Sequence, residues 1–392
     1  MRVGIFTYAD TLTGGNIRLL RALRHYPRDE IVVLIPSDRH ERLRVALERV
    51  NDPSLRDLER TAIDLKPLGA RPSAIDYIRY GKYAGDFAKK EGFDLLYLYH
   101  EHAYFPLGFS LSGVRWTMLM QLTPVVGSLA IEEGRGFSLF RKNYQEIYGY
   151  GRAKALRGYL RLRLFDLVTG RNVLLASSRS IPYELELLGI RKRILVPEVP
   201  NATDGCARIG GRKDLDVIFF SRVKREKGVF HYIEAISMMR DLIRSACIVG
   251  YADEHMRRAL ERELAKRGLD FVCLLYNARK EEAHEIVSRS KLLIYPSMMD
   301  SFSYSLMESL SCGTPAVAYS IPGVRLNYST PAVRLVEPMD IRALAEEASK
   351  VLESGEWQEM GRAGIEYTSR FTWEAMAESE LKTVKRILEE DE

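Results

Sequence analysis

Short apolar runs alternate with longer amphipathic stretches along almost the whole chain. Residues 2–8, 30–35, 94–99, 116–121 and 173–177 are brief, rich in β-branched or aromatic side chains, and bounded by polar or glycine-containing turns. They read as strands. Helical spacing fills intervals such as 16–23 and 76–91. The second half repeats the theme, with strands expected at 217–220, 246–249, 272–275, 292–295 and 316–318. Helices are expected near 229–239, 255–267, 280–290 and 340–352. Strand–helix alternation of this kind predicts mainly parallel sheets covered by helices on both faces. Two such series predict an α/β chain of two Rossmann-like domains. Pro197 and Pro200 interrupt regular structure between them, so the expected domains are residues 1–198 and 199–372. No tandem repeat or low-complexity segment is visible.

Composition narrows the classes. With 392 residues and 46% hydrophobic side chains, a core forms without staples. Fifty-eight basic against 53 acidic residues give +5, too little to mark a nucleic-acid binder. Cys206, Cys247, Cys273 and Cys312 show neither zinc-knuckle nor Cys-x-x-Cys spacing, so neither a disulfide framework nor a zinc site is expected, and a reducing compartment fits. A charge at Asp10 precedes any secretory apolar core, and no run approaches 18 apolar residues. The expectation is a cytoplasmic protein without a membrane span.

Candidate chemistry concentrates in residues 295–318, YPSMMDSFSYSLMESLSCGTPAVA. A strand ends at Tyr295, a polar loop carries Asp300, and a helix opens near Ser303. Its first amides, including those of Tyr304 and Ser305, have no intrahelical acceptor and sit at the positive end of the helix dipole, an arrangement suited to phosphate. Glu308 projects from the same face one turn further in. Carboxylates there are strong acceptors for neighbouring hydroxyls.

This segment resembles the signature of the retaining glycosyltransferases of GT-B fold, family 4 (group 1), in which two Glu residues are separated by seven residues and followed by a Cys-Gly-x-Pro turn. Asp300 and Glu308 take the two acidic places, and Phe302, Cys312, Gly313 and Pro315 match the landmarks. The departures are Asp for Glu at 300, Ser301 and Ser303 for glycines, and Tyr304-Ser305 for Leu-Val. The resemblance implies that Glu308 holds the ribose of a nucleotide sugar and that Asp300 contacts the donor sugar ring. The run 221–228, SRVKREKG, is similar to the family's Gly-Arg followed by Lys-Gly, which implies that Arg222 and Lys227 hold the diphosphate; Ser221 replaces the glycine. Two cations there would neutralise charge developing on the leaving group. Asp300, Arg222 and Lys227 are thus the expected catalytic residues. Glu308, Ser303, Tyr304 and Ser305, with the two cations, are the expected donor-binding set. The resemblance also implies a hinge at 201–204 and a crossover segment, 373–392, returning to the first domain, with Thr372 as helix cap.

On the acceptor side, Gly14 and Gly15 lie in a turn after the first strand, where glycine lets backbone approach a ligand. Gln121 stands where many family members have a sugar-contacting histidine; it can bond a hydroxyl but not act as an acid or base. His100 offers further polar contact. The pair His100 and His102 lacks a third ligand at metal spacing, and Asp214-Leu215-Asp216 precedes a strand, so it reads as a strand-entry turn. No metal and no cofactor are expected beyond the sugar nucleotide itself.

The implied activity is retaining, metal-independent transfer of a sugar from a nucleoside-diphosphate sugar to a hydroxyl acceptor, saccharide or lipid-linked. A non-hydrolysing sugar-nucleotide epimerase and a non-catalytic nucleotide-sugar binder remain as alternatives. Residues 135–163 carry eight basic side chains against the single acid Glu146, interleaved with aromatics and leucines. The mixture suits an anionic membrane surface or an anionic acceptor. No stacking-platform motif supports nucleic acid. Alternatively, the window is a solvated basic helix whose aromatics pack inward.

Overall fold

The computed structural model describes residues 1–206 and 212–389. Residues 207–211 of the expected second domain and 390–392 of the expected crossover segment lie outside the described residues. The first half forms a seven-stranded parallel sheet from β1 (Val3–Phe6), β2 (Ile31–Pro36), β3 (Ala62–Leu65), β4 (Leu95–Leu98), β5 (Trp116–Met120), β6 (Leu174–Ala176) and β7 (Ile194–Leu195), in the order β3-β2-β1-β4-β5-β6-β7. The second holds β8 (Leu215–Phe220), β9 (Ala246–Gly250), β10 (Val272–Tyr276), β11 (Ser290–Tyr295), β12 (Ala316–Tyr319) and β13 (Val333–Val336), ordered β10-β9-β8-β11-β12-β13. Both are all-parallel α/β sheets, so the chain has two Rossmann-like domains in the GT-B arrangement.

Central strands such as β4, β5 and β12 are buried along their whole length, as expected where helices cover both faces. The three strands that sequence pattern did not reveal, β3, β7 and β13, are all at sheet edges and partly exposed. An edge strand buries too little to leave a clear apolar signature.

Strand order reverses between β1 and β4 in the first sheet and between β8 and β11 in the second. These switch points are where open α/β sheets leave a crevice beyond the carboxyl ends of their strands.

The helix Trp373–Glu389 packs beside the helix Gly14–Ala22 of the first domain, and Met376, Ala377, Val384 and Ile387 join that domain's core. Glu380 forms a fully buried ion pair with Arg18 and accepts a hydrogen bond from Tyr26 (2.6 Å). Thr372 caps this helix through the Ala375 amide (3.1 Å).

The cysteine expectation is corrected. All four cysteines are paired, Cys206 with Cys312 and Cys247 with Cys273. Cys247 and Cys273 face each other in register on β9 and β10, and Cys206 after the hinge meets Cys312 at the end of the helix Tyr304–Ser311. Linear spacing carries no trace of either juxtaposition; only the fold brings these α-carbons to 4.4 and 4.9 Å.

Candidate active site

A cavity of about 600 Å³ lies between the domains. Residues 12–15 beyond β1, His100 and Glu101 beyond β4, and Gln121 and Leu122 beyond β5 form its first-domain wall. Ser221, Arg222 and Lys227 beyond β8, and residues 300–305 beyond β11, form its second-domain wall. Of the residues singled out from sequence, Gly14, Gly15, His100, Gln121, Arg222, Lys227, Asp300, Ser303, Tyr304 and Ser305 all meet here.

The helix Tyr304–Ser311 begins as expected. Ser303 is its cap, with its hydroxyl accepting from the Leu306 amide (3.1 Å) and its carbonyl from the Met307 amide (3.1 Å). The amides of Tyr304 and Ser305 are left facing the cavity without a helical acceptor. The Ser303 hydroxyl in turn donates to Tyr295 (2.6 Å), which fixes the cap to the end of β11.

Asp300 and Lys227 pair with each other, a contact the sequence does not display. Lys227 is buried, and its ammonium lies 2.7 Å from Asp300 Oδ1 while also donating to the Met299 carbonyl. Asp300 Oδ2 accepts from Tyr295 and from Ser297 (2.7 Å). The cause is local. Gly228 has φ of +75°, and a Cβ there would stand 1.9 Å from the Pro296 carbonyl oxygen, so only glycine lets the Lys227 turn press against the loop after β11. The exposed Arg222 makes no hydrogen bond or ion pair among the described residues. Free positive charge in the cavity therefore comes from Arg222 and the helix amides.

Gln121 is held in place. Its side-chain amide donates to the Tyr99 carbonyl (3.0 Å) and to His100 Nδ1 (3.3 Å), and its backbone amide donates to Glu101 (3.0 Å). Burial, helped by the Arg18 charge, pushes the His100 pKa down to about 4, so the ring is neutral at pH 7 and can accept at Nδ1 while Nε2 donates to Thr7 (3.3 Å). Burial pushes Glu101 up to about 7 against the backbone amides that bond it. Glu101, which belongs to the polar run 100–102 that follows β4 in the sequence, is thus an acid of the cleft at the switch point. His102 accepts amide hydrogens from Tyr104 (3.1 Å) and Phe105 (3.2 Å), which explains that histidine without a metal.

Glu308 is not in the wall of this cavity. It faces Lys280 (3.2 Å) and His284 (3.7 Å). Burial acts to raise its pKa, but His284 and Lys280 together outweigh it and hold the carboxyl below its ordinary value. Lys280 and His284 wall a second cavity, about 390 Å³, with Phe220, Gly250, Tyr251 and Asn277. Both residues lie one helical turn apart on the helix Lys280–Arg289, a pairing the sequence displays but does not aim. Asp214 and Asp216 pair with Arg289 (2.9 Å) and Lys291 (2.7 Å); only Asp214 precedes β8, and Leu215 and Asp216 lie in the strand itself rather than in an entry turn.

The two walls are tied at the hinge. Asn201 accepts from Tyr304 (2.6 Å) and from Arg18 (3.1 Å) and donates to the Ser177 carbonyl (2.6 Å). Asp204 bonds Trp373 (2.6 Å) and Lys280 (2.8 Å).

Residues 210–368 match the family model of glycosyl transferases group 1. That match covers β8 to the helix Trp357–Ser369, including Arg222, Lys227, Asp300 and Glu308. Among curated relatives, a 2-deoxystreptamine glucosyltransferase of Streptomyces kanamyceticus is 27% identical over 141 residues, 34% of this chain and 35% of that protein. A D-inositol 3-phosphate glycosyltransferase of Segniliparus rotundus is 31% identical over 106 residues, 26% and 24% of the two chains. The chain thus spans about a third or less of the length of these relatives. Whole-chain likeness comes from solved structures. Sucrose-phosphate synthase of Thermosynechococcus elongatus has a TM-score of 0.68 at 18% identity, covering 100% of both chains. Anabaena Alr3699/HepE in complex with UDP has a TM-score of 0.66 at 16% identity, covering 98% of this chain and 100% of that one. At such identities the likeness is one of fold.

Proposed function

We propose that this chain is a retaining, metal-independent glycosyltransferase of family 4 that moves a sugar from a nucleoside-diphosphate sugar to a hydroxyl acceptor. The observation that carries the reading is the grouping of Arg222, the Tyr304 and Ser305 amides, and the Asp300–Lys227 pair at one switch point, within a segment that matches glycosyl transferases group 1. The diphosphate lies against the helix start and Arg222, which meet the negative charge that grows as the glycosidic bond breaks. The nucleoside extends past Glu308, whose carboxylate takes the ribose hydroxyls, into the second cavity beside Asn277. Asp300, fixed by Lys227, Tyr295 and Ser297, presents its carboxylate edge to the donor sugar. Gln121, Glu101 and the turn at Gly14 and Gly15 face the transferred sugar and the acceptor from the other domain. Gln121 supplies no base, which accords with deprotonation of the acceptor by the leaving phosphate. Support also comes from the two relatives, a 2-deoxystreptamine glucosyltransferase and a D-inositol 3-phosphate glycosyltransferase, and from the UDP-glucose complex of the Anabaena protein.

The reading is tested by a thermal-shift screen of nucleoside diphosphates and their sugars. A ligand at 100 times its Kd adds about 2.7 kcal/mol. One such ligand is expected to raise the melting temperature of the wild type and to lose that effect in Glu308→Ala. A screen in which none does so overturns the donor site.

The acceptor, on this proposal, is linked to an anionic membrane face that the first domain touches peripherally. Supporting it, the helix Arg152–Thr169 exposes Leu156, Leu160, Leu164 and Leu167 at 49, 59, 37 and 77%. These spacings form one stripe, flanked by the exposed Arg157, Arg161 and Arg163. The aromatics expected to serve such a surface instead pack on one another, as Phe140 does on Tyr144 and Tyr159. No helix among the described residues is long and apolar enough to cross a membrane.

A further inference from the structure

Three potential metal-ligating atoms come together behind the second cavity, away from the sugar side of the cleft. Cys206 Sγ, Cys312 Sγ and a ring nitrogen of His284 all lie within 4.8 Å of one another. The His284 side chain is 4% exposed, and its Nε2 has no hydrogen-bond partner among the described residues. A buried imidazole nitrogen without a partner costs stability, and this one faces Glu308 Oε2 at 3.7 Å. A structural disulfide needs no imidazole beside it. A Cys₂His cation site does, and a carboxylate oxygen completes its tetrahedron.

We propose that Cys206, Cys312 and His284, with Glu308 as fourth ligand, form a redox-gated site for a thiophilic divalent cation, zinc foremost. Two zinc–sulfur bonds of about 2.3 Å at the tetrahedral angle place their sulfurs roughly 3.8 Å apart, which a cysteine pair reaches once the bond between them is broken. Borderline-soft ligands of this kind select zinc over magnesium or calcium. Charge also closes: two thiolates and the Glu308 carboxylate balance a divalent ion and the Lys280 ammonium, which stands 3.2 Å from Glu308. The opening step is reduction by a dithiol. The Sγ–Sγ bond breaks, the reductant forms its own disulfide, and its two electrons and two protons yield two thiols. Cation binding then releases both thiol protons as two metal–sulfur bonds form. In the oxidised state no thiolate exists and the site is closed. The consequence for activity rests on the proposed donor site: Glu308 engaged with the cation is withdrawn from the ribose, so loading would slow transfer.

Cobalt(II) is the probe, because tetrahedral thiolate ligation gives it intense visible bands and a near-ultraviolet charge-transfer band. Full-length protein is reduced with a dithiol, desalted anaerobically and titrated with cobalt, then with zinc. The site predicts one cobalt per chain with both signatures, displacement by zinc, and no binding to the oxidised protein. Cys312→Ser should lower the charge-transfer intensity by about half or more, and His284→Ala should weaken binding by more than about tenfold. Cys247→Ser, which leaves the site's own ligands intact, should change neither. Absence of binding to reduced wild type overturns the proposal, as does binding lost in Cys247→Ser or unchanged in His284→Ala. Nucleoside-diphosphate thermal shifts on the oxidised protein are read separately, so a failed donor site and a failed cation site give different patterns.

Discussion

Gln121 occupies the space that a side chain at position 15 would need: a Cβ on Gly15 would lie 2.0 Å from the Gln121 amide oxygen. Alanine at 15 favours the helix Gly14–Ala22 by about 1 kcal/mol, yet it displaces a side chain that bonds Tyr99 and His100 at a cost of similar size. Gly15→Ala should therefore leave the melting temperature nearly unchanged while lowering transfer more than about tenfold. In a Gln121→Ala background the same change should have no further effect, as a double-mutant cycle of activities would read. Glu184 makes a different residue-scale statement. It is fully buried, and burial lifts its pKa to about 8 even though the Thr123 hydroxyl bonds it. The folded chain keeps this proton up to about pH 8, whereas the unfolded chain releases it near the ordinary carboxyl value. The unfolded state thus binds fewer protons between those limits, and stability falls as pH rises through them. Glu184→Gln should raise the melting temperature at pH 9 by several degrees relative to wild type and change it little at pH 4. A uniform effect across pH would contradict this.

At the scale of elements, the helix Arg152–Thr169 buries Ala155, Leu162 and Phe165 and exposes its leucine stripe on the other side. It packs on the helix Phe105–Ser112, which adds the exposed Leu111. Vesicle co-sedimentation should show binding to anionic vesicles that weakens at high salt. Leu160→Asp with Leu164→Asp should reduce it by more than about tenfold, with the melting temperature held because both side chains already face solvent. Equal, negligible binding to anionic and neutral vesicles would remove the membrane from the proposed function. The helix Tyr304–Ser311 illustrates the opposite case, an element whose start is useful because it is anchored: Ser303, Tyr295 and Tyr328 all bond at its cap.

Across the whole molecule, the domains are joined by more than the hinge. Arg325 of the second domain donates both guanidinium nitrogens to Glu132 of the first, at 2.5 and 2.7 Å. Asn327 bonds the Ser178 hydroxyl (2.9 Å) and accepts from the Arg179 amide (3.1 Å), while Ser301 bonds the Gly127 carbonyl (3.0 Å). These contacts hold the two walls of the cleft at their present separation. The bidentate pair is about a quarter exposed on each side, so its loss is worth about 1 kcal/mol. That is enough to shift an open–closed equilibrium several-fold. Glu132→Ala should enlarge the radius of gyration measured by small-angle X-ray scattering in the absence of donor. An unchanged radius would mean that the hinge and the Asn327 and Ser301 contacts fix the arrangement without this pair.

The central strands, the two-domain division and the acidic and basic positions around the cleft were legible in the sequence. Each rests on local information: apolar runs buried on both faces, prolines at the boundary, and spacing along one loop and helix. Three of the four edge strands, β3, β7 and β13, escaped because they bury little, whereas β10 kept a legible apolar run. What only the tertiary structure decided are the pairings between distant segments. Lys227 faces Asp300, Glu308 faces His284 and Lys280, and Arg18 meets Glu380 from opposite ends of the chain. The four cysteines give the sharpest contrast, since they are separated by 26 and 106 positions along the chain and joined in pairs in space. A sequence pattern reports which side a residue turns toward its own element, whereas its partner is set by how elements from different parts of the chain pack together.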